Sequence, residues 1–167
     1  MYDTNQNKNM KEKLKIVIAD DNSGWCEVLK NYLEKFEEFE IVGITSDSMK
    51  ELEMIKKLKI DVLITDLRRK NSVSGFEILK KCYEENLLKS MKILVQTGGY
   101  YADEMSLLNN IGIKHVIFKP FPIEQIKEEL IKIQNEEEKD LIIINREISK
   151  KKKKILDIIK SKLITLK

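Results

Sequence analysis

The chain has 167 residues, with 31 basic and 28 acidic side chains, a formal net charge of +3 and 42% apolar residues. That is enough for one domain with a core of its own and too little for two ordinary ones. A charged fraction of 35% beside abundant Ile, Leu and Val excludes a bilayer-spanning or disordered chain, and six Gly with two Pro exclude collagen-like or linker-like sequence.

Residues 1–13 (MYDTNQNKNMKEK) form a polar N-terminal extension without the apolar stretch of an export signal. Residues 14–19 (LKIVIA) are β-branched and too short for a helix, which predicts a strand running into Asp20 and Asp21. Residues 25–36 follow with Trp25, Val28, Leu29, Tyr32, Leu33 and Phe36 at helical spacing. A second strand is expected over 40–44 (EIVGI) and a helix near 48–58. The third strand, 61–65 (DVLIT), ends at Asp66 and precedes a helix over 75–88. The fourth, 91–96 (MKILVQ), leads into Thr97, Gly98 and Gly99, then a helix over 102–110. The fifth, 114–118 (KHVIF), leads into Lys119, Pro120 and Phe121, then a helix over 123–134. Gly24, Gly43, Gly75, Gly98, Gly99 and Gly112 all fall at the expected element boundaries.

Strands alternating with helices in this way specify an α/β fold, a flavodoxin-like (βα)5 unit whose five-stranded parallel sheet is covered by helices on both faces. Beyond it, residues 141–144 (LIII) fit a short strand or a helical continuation, and 147–166 read as one basic amphipathic helix. Residues 146–167 hold nine basic side chains against Glu147 and Asp157, so the mildly acidic body carries a basic tail. The expected organisation is a polar extension over 1–13, a domain over 14–135 and a basic helical tail over 136–167. The lysine run 150–154 reads first as a solvated stripe, with nucleic acid or an anionic membrane as the sharper alternatives. Cys26 and Cys82 lack metal-site spacing and fit buried thiols in a reducing cytoplasm, and His115 stands alone as a surface residue.

A parallel open sheet gathers its ligands outside the carboxyl ends of its strands. Those ends deliver Asp20, Asp21, Asp66, Thr97 and Lys119 to one crevice. Three carboxylates packed together repel unless a cation sits among them, and all-oxygen donors favour Mg2+. A lysine and a hydroxyl opposite such an ion would clamp a phosphoryl group, and one carboxylate could act as its nucleophile.

IVIADDN, DVLITD, VQTGG and FKPF, in this order and on these strands, resemble the receiver domain of two-component response regulators over residues 14 to about 135. IVIADDN and FKPF are most similar to the receivers of sporulation master regulators. The resemblance implies Asp66 as phosphoryl acceptor, with Asp21 binding Mg2+ directly and Asp20 largely through water. It implies the Arg68 backbone carbonyl as a further metal ligand and Lys119, before a cis Pro120, on a phosphoryl oxygen. Thr97 would swing to the phosphoryl group, with Gly98 leaving room. It further implies a cytoplasmic signalling protein rather than an enzyme, served by a sensor histidine kinase or phosphotransfer protein, with a homodimer as one output. The family's Met-Pro pair after the acceptor is absent, the basic 67–75 loop is one residue longer, and Val116 stands where a switch aromatic usually does. Those departures motivate the alternative of a degenerate receiver working as a phosphorylation-independent interaction module. A metal-dependent phosphatase on the same fold is a third reading, for which the sequence offers no general acid.

Overall fold

Five short runs rich in Ile, Val and Leu pair side by side in the computed structural model, which describes residues 12–70, 73–99 and 102–136. They are β1 (Leu14–Ala19), β2 (Phe39–Thr45), β3 (Val62–Asp66), β4 (Lys92–Thr97) and β5 (His115–Phe118). Every pairing is parallel, in the spatial order β2-β1-β3-β4-β5. The intervening helices are α1 (Ser23–Leu33), α2 (Ser48–Lys57), α3 (Gly75–Glu84), α4 (Ala102–Asn110) and α5 (Glu124–Asn135). This is the expected (βα)5 architecture. The chain leaves β1 outward to β2 and returns past it to β3, so the strand order reverses there and opens a crevice at the carboxyl ends of β1 and β3.

Period-two alternation divides the strand side chains between two layers. Val17, Ala19, Leu63, Ile93 and Val95 form one core with Leu52, Ile55, Ile78, Leu79, Cys82 and Leu108 of α2, α3 and α4. The other side holds Ile16, Ile18, Ile64 and Leu94, and the buried residues Cys26, Leu29 and Leu33 of α1 and Ile126 and Leu130 of α5. Each fully buried Leu or Ile contributes about 1.5–3 kcal/mol. Helix starts are set by side-chain caps: Asn22 accepts from the Trp25 amide, Asp47 from Met49 and Lys50, and Ser74 from Glu77.

Several expected boundaries move. Gly43 lies inside β2, beside a register shift against β1 at Ile16/Val17, and not at an element edge. A Cβ there would come within 3.0 Å of the Met54 sulfur, so the glycine answers close packing of α2. Helix α1 ends at Leu33, because Phe36 serves the turn, edge-on to Tyr32 at 5.3 Å and to Phe39 at 6.2 Å. The helix expected over 75–88 stops at Glu84, where Asn86 takes a left-handed φ of 60° and a separate 3-10 turn covers Leu87–Lys89. His115 is half-buried, with Nδ1 3.1 Å from Glu129, rather than a surface residue. Cys26 and Cys82 are buried free thiols, as expected.

The chain divides into two compact units, Met1–Ile131 and Lys132–Lys167. The strand or helix expected over 141–144, the basic helix over 147–166 and the extension 1–11 lie outside the described residues. Among the described residues no helix is long and apolar enough to cross a membrane.

Candidate functional site

The five residues singled out from the sequence meet at the carboxyl edge of the sheet. Asp20 and Asp21 follow β1, Asp66 ends β3, Thr97 ends β4 and Lys119 follows β5. A backbone bond from Lys119 to the Thr97 carbonyl (2.8 Å) ties the last two ends together, and the Lys119–Pro120 bond is cis. Oxygens of Asp20, Asp21 and Asp66 lie within 4.8 Å of one another.

Each carboxylate is held by named donors. Asp20 accepts at Oδ1 from the Asn22 amide (2.9 Å) and at Oδ2 from Lys119 Nζ (2.8 Å) and Gln96 Nε2 (3.3 Å). Asp66 accepts at Oδ1 from the Arg68 amide (2.9 Å) and at Oδ2 from Lys119 Nζ (2.9 Å). Asp21, less buried, accepts at Oδ2 from the Lys70 amide (2.8 Å). One ammonium thus serves two carboxylates, and the third is engaged by a neutral donor.

Burial pushes the Asp66 carboxyl above its ordinary range, and the Asp20 charge adds to that, against the Arg68 amide and the Lys119 ammonium. Burial pulls Lys119 down, but its two carboxylate partners more than offset it and leave the ammonium above its usual value. Three carboxylates against one ammonium leave excess negative charge in a small oxygen-lined space, so the residues fit a hard divalent cation. Thr97, fully buried, donates from Oγ1 to the Gly99 carbonyl at 2.6 Å. Among the described residues, a Cβ at Gly98 would meet nothing within 4 Å.

The 67–75 loop is anchored by groups that sequence reasoning missed. Arg69 turns inward with its side chain fully buried, and its Nη1 lies 2.6 Å from Oε2 of the equally buried Glu51 on α2. Its Nε donates to the Asp66 backbone carbonyl (3.2 Å), Nη1 to Ser48 Oγ (2.9 Å) and Nη2 to Thr65 Oγ1 (2.7 Å). Thr65 donates in turn to Glu51 Oε1 (2.8 Å) and Ser48 to the Val73 carbonyl (2.6 Å). The partner of Arg69 left a trace in the sequence: Ser48, Glu51, Leu52 and Ile55 share the buried stripe of α2, and an acid on such a stripe requires a counter-charge. Arg68 points outward and pairs with Glu104 of α4 (2.5 Å). The glycine displaced by one position is required where it stands, since a Cβ at Gly75 would lie 2.1 Å from the Asp66 carbonyl oxygen.

Trp25 and Gln96 complete the surroundings. The Trp25 Nε1–H donates to Gln96 Oε1 (2.9 Å), and its ring meets Phe121 edge-on at 5.9 Å. Val116 is half-buried against the core and Phe118 is largely exposed.

The model of the response regulator receiver domain matches residues 16–131. Chemotaxis protein CheY-3 of Vibrio cholerae is 31% identical over 127 residues, spanning 76% of this chain and 93% of that relative. Among solved structures, RcsB of Salmonella enterica serovar Typhimurium, bound to promoter rprA in the presence of phosphomimetic BeF3-, superposes with a TM-score of 0.64. It is 24% identical and the match covers 74% of this chain and all of that one. A CheY-like receiver domain protein from Methanospirillum hungatei gives 0.62 at 21% identity, over 81% of this chain and 99% of that chain.

Proposed function

The chain belongs to the response regulator receiver domain family, and from that membership we propose that it accepts a phosphoryl group on Asp66 in a Mg2+-dependent reaction and thereby switches its association with partners or with itself. The observation that carries this reading is the placement of Asp66 at the end of β3, 2.9 Å from Lys119 and within 4.8 Å of the Asp20 and Asp21 oxygens. Receivers are signalling modules and not classical enzymes, and the chemistry expected here is that of an acceptor.

Asp20, Asp21 and Asp66, with the Arg68 backbone carbonyl, would hold the Mg2+. Bound there, the ion would supply positive charge to a transferring phosphoryl group. An Asp66 carboxylate oxygen attacks phosphorus, the new O–P bond forms, and the bond from phosphorus to the donor's leaving atom breaks with its electron pair. Lys119 stays protonated throughout and neutralises charge on the acceptor and the incoming oxygens. Thr97 leaves its bond to the Gly99 carbonyl and turns its hydroxyl to the phosphoryl group. The donor is a sensor histidine kinase or phosphotransfer protein. Pairing of two copies is one output, as in the RcsB dimers solved on DNA. The expected setting is the cytoplasm, with residues 14–135 as the receiver. The basic tail over 146–167 leaves a nucleic-acid or membrane contact as a further role.

Intact mass after incubation with Mg2+ and acetyl phosphate tests the reading. One phosphoryl group gained by the parent and none by Asp66→Asn is the expected result. Equal gain by the variant would reassign the acceptor, and no gain by the parent from several donors would favour a phosphorylation-independent interaction module.

A further inference from the structure

Gln96 is the fully buried polar residue of β4 that the receiver chemistry leaves unused. It pairs in register with Asp66 across the sheet and precedes Thr97, but alternation turns its side chain to the opposite layer from Val95 and Thr97. A buried amide is costly unless both its ends are bonded, and an aliphatic residue would have filled the same space in the ILV run without that cost.

Both ends are bonded, in an orientation that chemistry fixes. An indole N–H can only donate and a carboxylate can only accept. The Trp25 bond (2.9 Å) therefore places the amide oxygen on the α1 side, and the amide nitrogen is left to face Asp20 Oδ2 (3.3 Å). Trp25 meets Phe121, two residues beyond Lys119, and Lys119 returns to the same Asp20 oxygen at 2.8 Å. Asp20, Gln96, Trp25, Phe121 and Lys119 thus close a ring around one edge of the acidic pocket.

We propose that Gln96 is a positioning residue: it fixes the Asp20 carboxylate for a divalent cation and carries the state of that carboxylate to the indole of Trp25. The inference rests on the Mg2+ reading of the acidic cluster. With three donors already on Asp20, a cation that draws on its oxygens must reorganise the Lys119 and Gln96 bonds, and the Gln96 amide cannot shift without disturbing the indole N–H it accepts from. Outer partners of metal-binding carboxylates commonly change affinity by tenfold or more.

Trp25 is the single tryptophan, so its signals are unambiguous. Mg2+ is titrated into the full chain at constant ionic strength, following the indole N–H resonance and tryptophan emission, with the Mg2+-dependent rise in melting temperature measured separately. In the parent, both indole signals should move and saturate at the concentration that saturates the thermal shift. In Gln96→Met the emission should no longer respond, while the thermal shift persists with Mg2+ affinity about tenfold weaker. A thermal shift in the parent with an unmoved indole would overturn the inference and leave the Mg2+ reading intact. So would a Gln96→Met chain that keeps the emission response and an affinity within twofold of the parent. Absence of both responses in the parent would overturn the Mg2+ reading and this inference together. Should the variant not fold, the parent's indole resonance alone supports or overturns the coupling.

Discussion

Replacing Arg69 by Met tests the loop anchor, because it leaves an apolar side chain in the same buried space while stranding Glu51. In the parent both side chains are fully buried, with nitrogen and oxygen 2.6 Å apart. Without the guanidinium, Glu51 keeps only the Thr65 hydroxyl at 2.8 Å, and the Asp66 carbonyl loses the Nε–H at 3.2 Å. Breaking a buried pair from one side costs about 3–5 kcal/mol. For a chain of this size that lowers the melting temperature by roughly 10 °C. Removing both charges, in Arg69→Met with Glu51→Leu, should recover most of the loss, since hydrophobic replacement of a buried pair is often neutral or better. Burial already pushes the Glu51 carboxyl up, and Arg69 is the main group pulling it down. In Arg69→Met the folded carboxyl therefore rises further. A raised folded pKa contributes stability that is complete below the unfolded value and lost as pH rises through the folded one, so the penalty should grow as pH rises above the ordinary carboxylate range. Urea unfolding of parent, both single variants and the double variant at two pH values measures all of this. A single-variant cost under about 1 kcal/mol, or a double-variant cost equal to the sum of the singles, would refute the pairing.

Other substitutions read different parts of the site. Gly75→Ala places a methyl 2.1 Å from the Asp66 carbonyl oxygen, a backbone atom that cannot swing away. It should cost more than about 2 kcal/mol in urea unfolding and slow phosphoryl uptake through displacement of Asp66. Lys119→Met should still bind Mg2+ and show a larger Mg2+-induced thermal shift than the parent, because the cation then relieves carboxylates that have lost their shared ammonium, while phosphoryl uptake falls about tenfold or more. The thiols of Cys26 and Cys82, pushed up by burial to about 11 and about 12, should resist alkylation at pH 8 in the folded chain and react fully in denaturant.

Much of this could be read from the sequence because it is local. Strand cores declare themselves through β-branched runs, and the residues that follow them in a parallel sheet must lie at one edge, which places Asp20, Asp21, Asp66, Thr97 and Lys119 together from the sequence alone. What escaped depends on partners distant in the chain. Periodicity carried helix α1 through Phe36 because an aromatic packing from a turn looks like one packing from a helix. It carried α3 past Asn86, whose left-handed backbone is compatible with Asn but not announced by it. A basic loop gave no indication that Arg69 points inward while Arg68 points out to Glu104, since only the tertiary placement of Glu51 separates the two.

The polar residues buried against the hydrophobic pattern have a distribution of their own. Among the described residues, the buried polar and charged side chains are Asp20, Thr45, Ser48, Glu51, Thr65, Asp66, Arg69, Gln96 and Thr97. Asp20, Thr45, Thr65, Asp66, Gln96 and Thr97 sit at or just beyond the carboxyl ends of β1 to β4, Ser48 and Glu51 begin α2, and Arg69 lies in the loop after β3. Each costs stability that an aliphatic residue would have supplied, and a core chosen for stability alone would scatter such residues or omit them. Their confinement to one edge means that the cost is incurred where the acidic pocket must be held, from the α2 side through Arg69 and from the α1 side through Gln96. The two supports differ in kind. Arg69 grips the backbone that carries Asp66, and among the described residues its partners include no carboxylate of the pocket, so its loss should lower stability first. Gln96 bonds a pocket carboxylate directly, so its loss should register in cation affinity and in the Trp25 signal before it registers in stability.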